Sequence, residues 1–440
     1  MHLPQFSENH PSRRELLKLL AAGVGGASLS GWLGPLAAAA QQQQQALAQG
    51  RARAKSCILL WMDGGPSHVD TFDPKPEAGA DIHGDLGAIG TSVPGIQIGE
   101  KFPQLAKLMQ HGAILRGMST AEADHGRARV YMHTGYRPGA GGITYPGLGS
   151  TVSDELARPD SPLPNFVVTG TPLNKHDVIR DPGYRGPRHQ PLVLTDLSQG
   201  LEYATPASGP EDFDRRTRLL GTLEERFART TQSPAAVAHE AGLAAALRLM
   251  RSDRRDCFDL SREPAASRSR YGETDFGRGC LLARRLVEAG VGFIEVYLAN
   301  WDSHVRAVAD QTRNLMTQVD LGMSALVSDL HSRGLLESTL IIWMGEFGRT
   351  PRINSTGGRD HFSRAWSTVM FGGGIRGGQV IGATDATGNE VKDRPVSVVD
   401  FMATTCHLLG IDYKKEVDTP AGRPVRIVDK GEKLISELLG

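Results

Sequence analysis

Ser56-Cys57-Ile58-Leu59-Leu60-Trp61-Met62 runs straight into Asp63-Gly64-Gly65-Pro66. A short run without charge, closed by turn-forming residues, reads as a strand buried on both faces, since a half-exposed strand would alternate apolar and polar positions. Working outward, Val291–Tyr297 and Ser338–Met344 read as further strands of the same kind. Between these two, apolar residues at helical spacing predict a long amphipathic helix over about 305–333, stopped at Gly334. Strand, helix, strand with buried apolar runs predicts an α/β fold with a largely parallel central sheet sandwiched by helices. Shorter strands are expected at 113–116, 165–170, 367–371 and 378–381. Helices are expected at 102–111, from an Asp124 cap to about His133, within 146–156, and over 398–409. Residues 211–290 are strongly charged with helical spacing, which predicts a helical insertion around 205–285 broken near Pro234 and Pro264. Thr171–Gln190, rich in Pro, Gly, Arg and His, reads as a long surface loop able to shape a substrate mouth.

The 440 residues carry 49 Lys plus Arg and 49 Asp plus Glu. A net charge of zero argues against a nucleic-acid binder gripping through excess positive charge. Hydrophobic residues at 40% and charged residues at 22% exclude a disordered chain. Cys57, Cys257, Cys280 and Cys406 show no C-x-x-C spacing, which excludes a zinc ribbon; Cys57 and Cys406 sit in apolar runs and read as core thiols.

Ser12-Arg13-Arg14-Glu15-Leu16-Leu17-Lys18 precedes a stretch, 19–40, without a single charge. Ala37–Ala40 offers a small-residue cleavage site. Residues 1–40 therefore read as a twin-arginine export signal, with a flexible segment over 41–54 and a single domain over 55–430. This predicts a periplasmic or otherwise exported protein with no stable membrane span after cleavage. A retained anchor is the other reading of 19–40, though its many Gly residues and Pro35 make a weak span.

In α/β sheets ligands gather beyond the carboxyl ends of the strands. Here strand ends deliver Asp63 and His68, then Asp124 and His125, then Asp302 and His304, then Glu346 with Asp360 and His361 shortly beyond. Carboxylate and imidazole at four strand ends suggest a metal site, because these are the donors divalent metals take. Asp302 has a competing reading as the N-cap of the long helix, and His68 and His133 as polar fillers. His125 opens a helix where free N–H groups favour an anion, and Arg129 shares its face one turn on.

Trp61-Met62-Asp63-Gly64-Gly65-Pro66-Ser67-His68, Asn300-Trp301-Asp302-Ser303-His304, Gly345-Glu346-Phe347-Gly348-Arg349-Thr350-Pro351 and Gly358-Arg359-Asp360-His361-Phe362 resemble the alkaline phosphatase-like superfamily. That superfamily includes sulfatases and cofactor-independent phosphoglycerate mutases. Within it, roughly residues 55 to 425 are similar to an uncharacterised, twin-arginine-exported, sulfatase-like bacterial family, domain of unknown function 1501. Arg333-Gly334-Leu335-Leu336 before a buried strand and the closing Val399–Ile411 segment belong to the same likeness. The resemblance implies an alkaline phosphatase/sulfatase-like fold. Asp63 matches its first-strand metal ligand, Asp302 and His304 an aspartate–histidine pair at closer spacing, and His361 its late histidine ligand. Glu346-Phe347 falls where Asp-His is common, so Glu346 can ligate and Phe347 cannot. The nucleophile segment aligns with Asp124–Gly135 and contributes His125 in place of Ser, Thr or modified Cys. No Cys stands in a sulfatase C-x-P-S-R context.

The expectation is an exported, metal-dependent hydrolase of a small anionic phosphate or sulfate ester. One or two divalent ions, Zn, Mn or Fe over Ca, would be held by Asp63, Asp302, His304, Glu346 and His361, with His68 or Asp360 completing the set. His125 would act as nucleophile, ligand or acid–base group, and Arg129 and Arg349 would hold the anionic oxygens. The alternative is a binding or assembly protein on the same fold that has lost hydrolysis.

Overall fold

The computed structural model describes residues 54–439, apart from 157, 159–160, 171–180, 199, 202–203 and 232–233. The expected export signal, the 41–53 segment and the first half of the expected surface loop lie outside the described residues.

Nine strands form the central sheet: β1 (Ser56–Met62), β2 (Gly112–Ser119), β3 (Phe166–Thr169), β4 (Leu192–Leu194), β5 (Phe293–Leu298), β6 (Thr339–Met344), β7 (Trp366–Gly372), β8 (Gln379–Ile381) and β9 (Val396–Ser397). Their order is β8-β2-β7-β6-β1-β5-β3-β4, with β9 also pairing to β2. Only β7 runs against its neighbours; the other pairs are parallel. The expected mixed α/β fold with a mostly parallel sheet is thus the observed one.

Besides two short helical turns at Ala80–His83 and Ala265–Arg270, the helices among the described residues are α1 (His125–Thr134), α2 (Leu148–Glu155), α3 (Pro210–Thr231), α4 (Pro234–Met250), α5 (Asp275–Glu288), α6 (Arg306–Ser332) and α7 (Val398–Leu408). The alternation of β1 explains its continuous apolar run. Ile58, Leu60 and Met62 join one core with residues of α5 and α6. Cys57, Leu59 and Trp61 join a second core with residues of α1, α2 and α7. Every β1 side chain is buried because helices cover both faces.

Local chemistry sets the element ends. Asp124 caps α1 by accepting from Arg127 N at 3.0 Å. Ser397 and Asp400 form a reciprocal capping box on α7. Three readings need correction. The expected 102–111 helix is a 3-10 turn over Leu105–His111, whose entering amides at Gln104 and Leu105 donate to Asp320 of α6 at 3.0 and 2.8 Å. Asp302 is not the cap of α6; Val305 holds that position without a side-chain bond. The end of the expected surface loop is tied down rather than open: buried His189 accepts from Ser150 through its carbonyl and meets Ser153 through Nδ1. All four cysteines are free, and burial pushes the Cys57 and Cys406 thiols up, in keeping with their reading as core residues.

A buried ionic network fastens the region around α5 to α6. Asp329 on α6 accepts from Tyr271 Oη at 3.0 Å and Arg270 at 2.7 Å, and lies 3.8 Å from Arg284 Nε. Arg284, almost fully buried, also donates to Glu263 at 2.5 Å and Glu288 at 3.0 Å. Removing Asp329 leaves the buried Tyr271 hydroxyl without its acceptor, at a cost of about 1–3 kcal/mol, while Arg284 keeps Glu263 and Glu288. Asp329→Ala is expected to lower the stability by about that amount. Urea unfolding would show it as a fall in midpoint at constant slope, and a midpoint within error of the parent would contradict this account.

Candidate metal centre

β1, β5 and β6 are in parallel register, with Trp61 beside both Tyr297 and Met344. Their chains therefore leave the sheet at one level, into Asp63-Gly64, Asn300–Asp302 and Gly345-Glu346. These loops pack backbone to backbone. Gly64 has φ +110°, and a Cβ there would stand 2.5 Å from Asp302 N, so this approach requires glycine. Gly64 N donates to the Glu346 carboxylate at 3.0 and 3.2 Å, and Trp301 N donates to the Asp63 carbonyl at 3.0 Å. Arg349, fully buried, ties the loops together. It donates to the carbonyls of Gly64, Gly65 and Arg359 and to Asp302 Oδ1 at 2.5 Å. Gly348–Arg349 then pairs antiparallel with His361–Phe362, which returns His361 to the same edge.

Three side chains converge at this edge: His125, Asp302 and His361, with one ligand atom from each within 4.8 Å of the others. His125 Nδ1 lies 2.6 Å from Glu346 Oε1. His361 Nδ1 lies 2.9 Å from the Ala123 carbonyl, which can only accept. Both rings are thus held from behind through Nδ1, which leaves their Nε2 atoms facing Asp302 at 3.4 and 3.5 Å, where a metal ion would displace the His125 proton. Both Nε2 atoms are buried without a hydrogen-bond partner. Two orphaned imidazole nitrogens and a carboxylate, each imidazole oriented from behind by an acceptor, form a donor set that fits a divalent transition metal. Burial opposes a proton on His125, but the Asp302 and Glu346 carboxylates outweigh it and push the ring up to about 9. Asp302 is held well below the carboxylate range: its partial burial is outweighed by His125, His361 and Arg349.

The other expected site residues are placed differently. Asp63 is buried and gripped bidentately by Arg129, at 2.5 and 2.9 Å, with Trp61 Nε1 at 3.3 Å. Arg129 also approaches Glu346 to 3.7 Å. The guanidinium expected to clamp substrate is therefore engaged by two of the carboxylates expected to bind metal. Arg349, expected in the same clamp, is engaged by the loop carbonyls and Asp302. His304 sits at the open rim, Nε2 3.0 Å from Asp302 and Nδ1 3.0 Å from Asp360. Asp360 joins only through His304 and Asn354, which donates to it at 3.0 Å. His68 takes no part: its Nε2 meets the Gly388 carbonyl at 2.9 Å.

Some contributors were not singled out from sequence. Glu295 on β5 lies 3.2 Å from His133 Nε2, while His133 Nδ1 donates to the Arg129 carbonyl at 2.9 Å. Burial disfavours a charged His133, yet Glu295 raises it above the ordinary imidazole range. A glutamate inside an otherwise apolar strand was the available signal. Phe347, read from the sequence only as a position that cannot ligate, places its ring 4.9 Å from both His125 and His361.

Among curated proteins, none matches the chain in sequence. Solved structures similar in fold include the PsFucS1 sulfatase from Pseudoalteromonas sp., at 16% identity over 87% of this chain and 73% of that one, with a TM-score of 0.40. A phosphonate monoester hydrolase of Agrobacterium radiobacter is similar at 13% identity over 88% and 77%, TM-score 0.39. The lipoteichoic acid synthase LtaP from Listeria monocytogenes is similar at 10% identity over 86% and 75%, TM-score 0.39. At such scores these structures assign no role to any residue here. In sequence, residues 54–439 match the family described as "Protein of unknown function (DUF1501)", and the chain belongs to that family.

Proposed function

We propose that this protein is a metal-dependent hydrolase of phosphate or sulfate esters built on a single-ion centre. The observation that carries the reading is the pair of buried, unpartnered Nε2 atoms of His125 and His361 facing Asp302. These three residues would hold the ion, and mixed nitrogen and oxygen donors suit Zn, Mn or Fe over Ca. Such an ion, when bound, polarises an ester oxygen and lowers the pKa of a water. The chain's own groups do the positioning. Glu346 and the Ala123 carbonyl fix the two imidazoles, and Arg349 fixes Asp302. His304, exposed at the rim and oriented by Asp360, is the group suited to take up or deliver a proton. The count of one ion rests on Arg129. Its permanent positive charge already neutralises Asp63 and faces Glu346, where a second cation would need both carboxylates. The sulfatase-like motifs support the ester class, and the twin-arginine stretch supports export.

A second reading keeps the ion and drops hydrolysis. Phe347 beside both imidazoles, with His125 turned toward Asp302 rather than outward, favours a binding protein with a structural metal.

Protein purified without chelator is expected to carry one transition-metal ion per chain by plasma mass spectrometry, and His361→Ala to lose it. Two ions per chain would refute the single-ion count, and none would refute the centre. Against a panel of aryl phosphate, phosphonate and sulfate esters, the metal-loaded protein is expected to turn over at least one class. His361→Ala should lower kcat/KM for that ester at least about a hundredfold. A metal-loaded protein inert toward the whole panel would favour the binding reading instead.

A further inference from the structure

Helix α3 presents its residues the wrong way round for a helix that only packs on its own protein. Its half-buried positions include Phe213, Asp214, Thr217, Gly221 and Glu224, which lie at helical spacing on one face. That face turns toward α4 and the residue after it, where Glu224 meets His239 at 3.1 Å and Asp214 meets Arg251 at 2.9 Å. Four large apolar side chains point outward instead: Leu219 is 63% exposed, Leu220 36%, Leu223 54% and Phe227 54%. Leu219, Leu223 and Phe227 are spaced four apart and form one stripe, with Leu220 beside it. Scattered exposed leucines need no explanation, but a contiguous stripe on one helix does.

The charges on α3 are sorted as well. Its exposed charged residues are Arg215, Arg216, Arg218, Arg226 and Arg229 against Glu211 and Glu225. Asp214 and Glu224 are half-buried on the face toward α4, Asp212 is paired with the exposed Arg215 and Arg216, and Arg229 with Glu225, which among the described residues leaves Arg218 and Arg226 without an acidic partner on the helix. The outward surface therefore carries the apolar stripe with five arginines against three acids, a net positive border, while Asp214 and Glu224 are turned inward. A Leu/Phe stripe bordered by arginines is the pattern of a helix lying in the plane of a membrane interface. There the apolar side chains enter the acyl boundary and the guanidiniums reach the headgroups.

We infer that α3 is a docking surface for an anionic lipid bilayer, which it binds peripherally through Leu219, Leu220, Leu223 and Phe227. The cationic border selects a negative surface over a neutral one. This inference is independent of the proposed chemistry at the metal centre.

The test is cosedimentation of the full chain with vesicles of phosphatidylcholine alone or mixed with phosphatidylglycerol. Leu223→Glu/Phe227→Glu and Arg226→Ala/Arg229→Ala are compared with the parent. All four positions are exposed, and thermal melts establish that the variants fold. The parent is expected to prefer the mixed vesicles and to lose binding as salt rises. The acidic double variant should bind both kinds at least about tenfold more weakly. The alanine double variant should lose about tenfold on mixed vesicles only. Binding of the parent no tighter than that of the acidic variant overturns the proposal. That holds whether light scattering then shows a monomer or a dimer which this variant dissolves.

Discussion

The contact on which the candidate centre depends is the buried pair between Arg129 and Asp63. A carboxylate at the end of a central strand, shut off from water, would cost several kcal/mol without a partner. Arg129 meets it bidentately and so fixes α1 over the edge of the sheet. Its neighbours on the same face repeat the device. His125, Arg129 and His133 are four residues apart and share one side of the helix. They engage Glu346, Asp63 and Glu295, which belong to the end of β6, the end of β1 and the body of β5. Those are three adjacent parallel strands, so one helix face is bound to three strands through three acids. The orientation of His125 toward Asp302 follows from this arrangement.

That arrangement shows where sequence reading succeeds and where it stops. The apolar runs at β1, β5 and β6, the Asp124 cap and the long α6 were legible because each depends on residues within a few positions of one another. So was the gathering of carboxylates and imidazoles at strand ends, since a parallel sheet sends those ends to one edge. Which cation meets which acid was not legible. Arg129 and Asp63 are 66 residues apart, and their pairing depends on the lateral order of strands. Arg129 therefore looked available for substrate, and Asp63 for metal. The choice between filler and ligand for His68 was open for the same reason: its partner, the Gly388 carbonyl, is 320 residues away. β9, two residues long, carried no periodic signal at all.

Charge gives the geometry its chemical meaning. Asp63, Glu346 and Asp302 bring three carboxylates to one small region, and Arg129 and Arg349 bring two guanidiniums that cannot be discharged. One negative charge is left among these groups. The exposed His304–Asp360 pair stands outside the balance, where solvent screens it. A proton on His125 meets that residual charge. A divalent cation taking the place of the proton would carry the centre to one positive charge in excess. With Arg129 and Arg349 both committed to carboxylates, neither is free to neutralise an arriving anion. The attraction for a phosphate or sulfate would then come from the ion itself. The two guanidiniums would make that attraction possible, by neutralising carboxylates that would otherwise repel the same substrate.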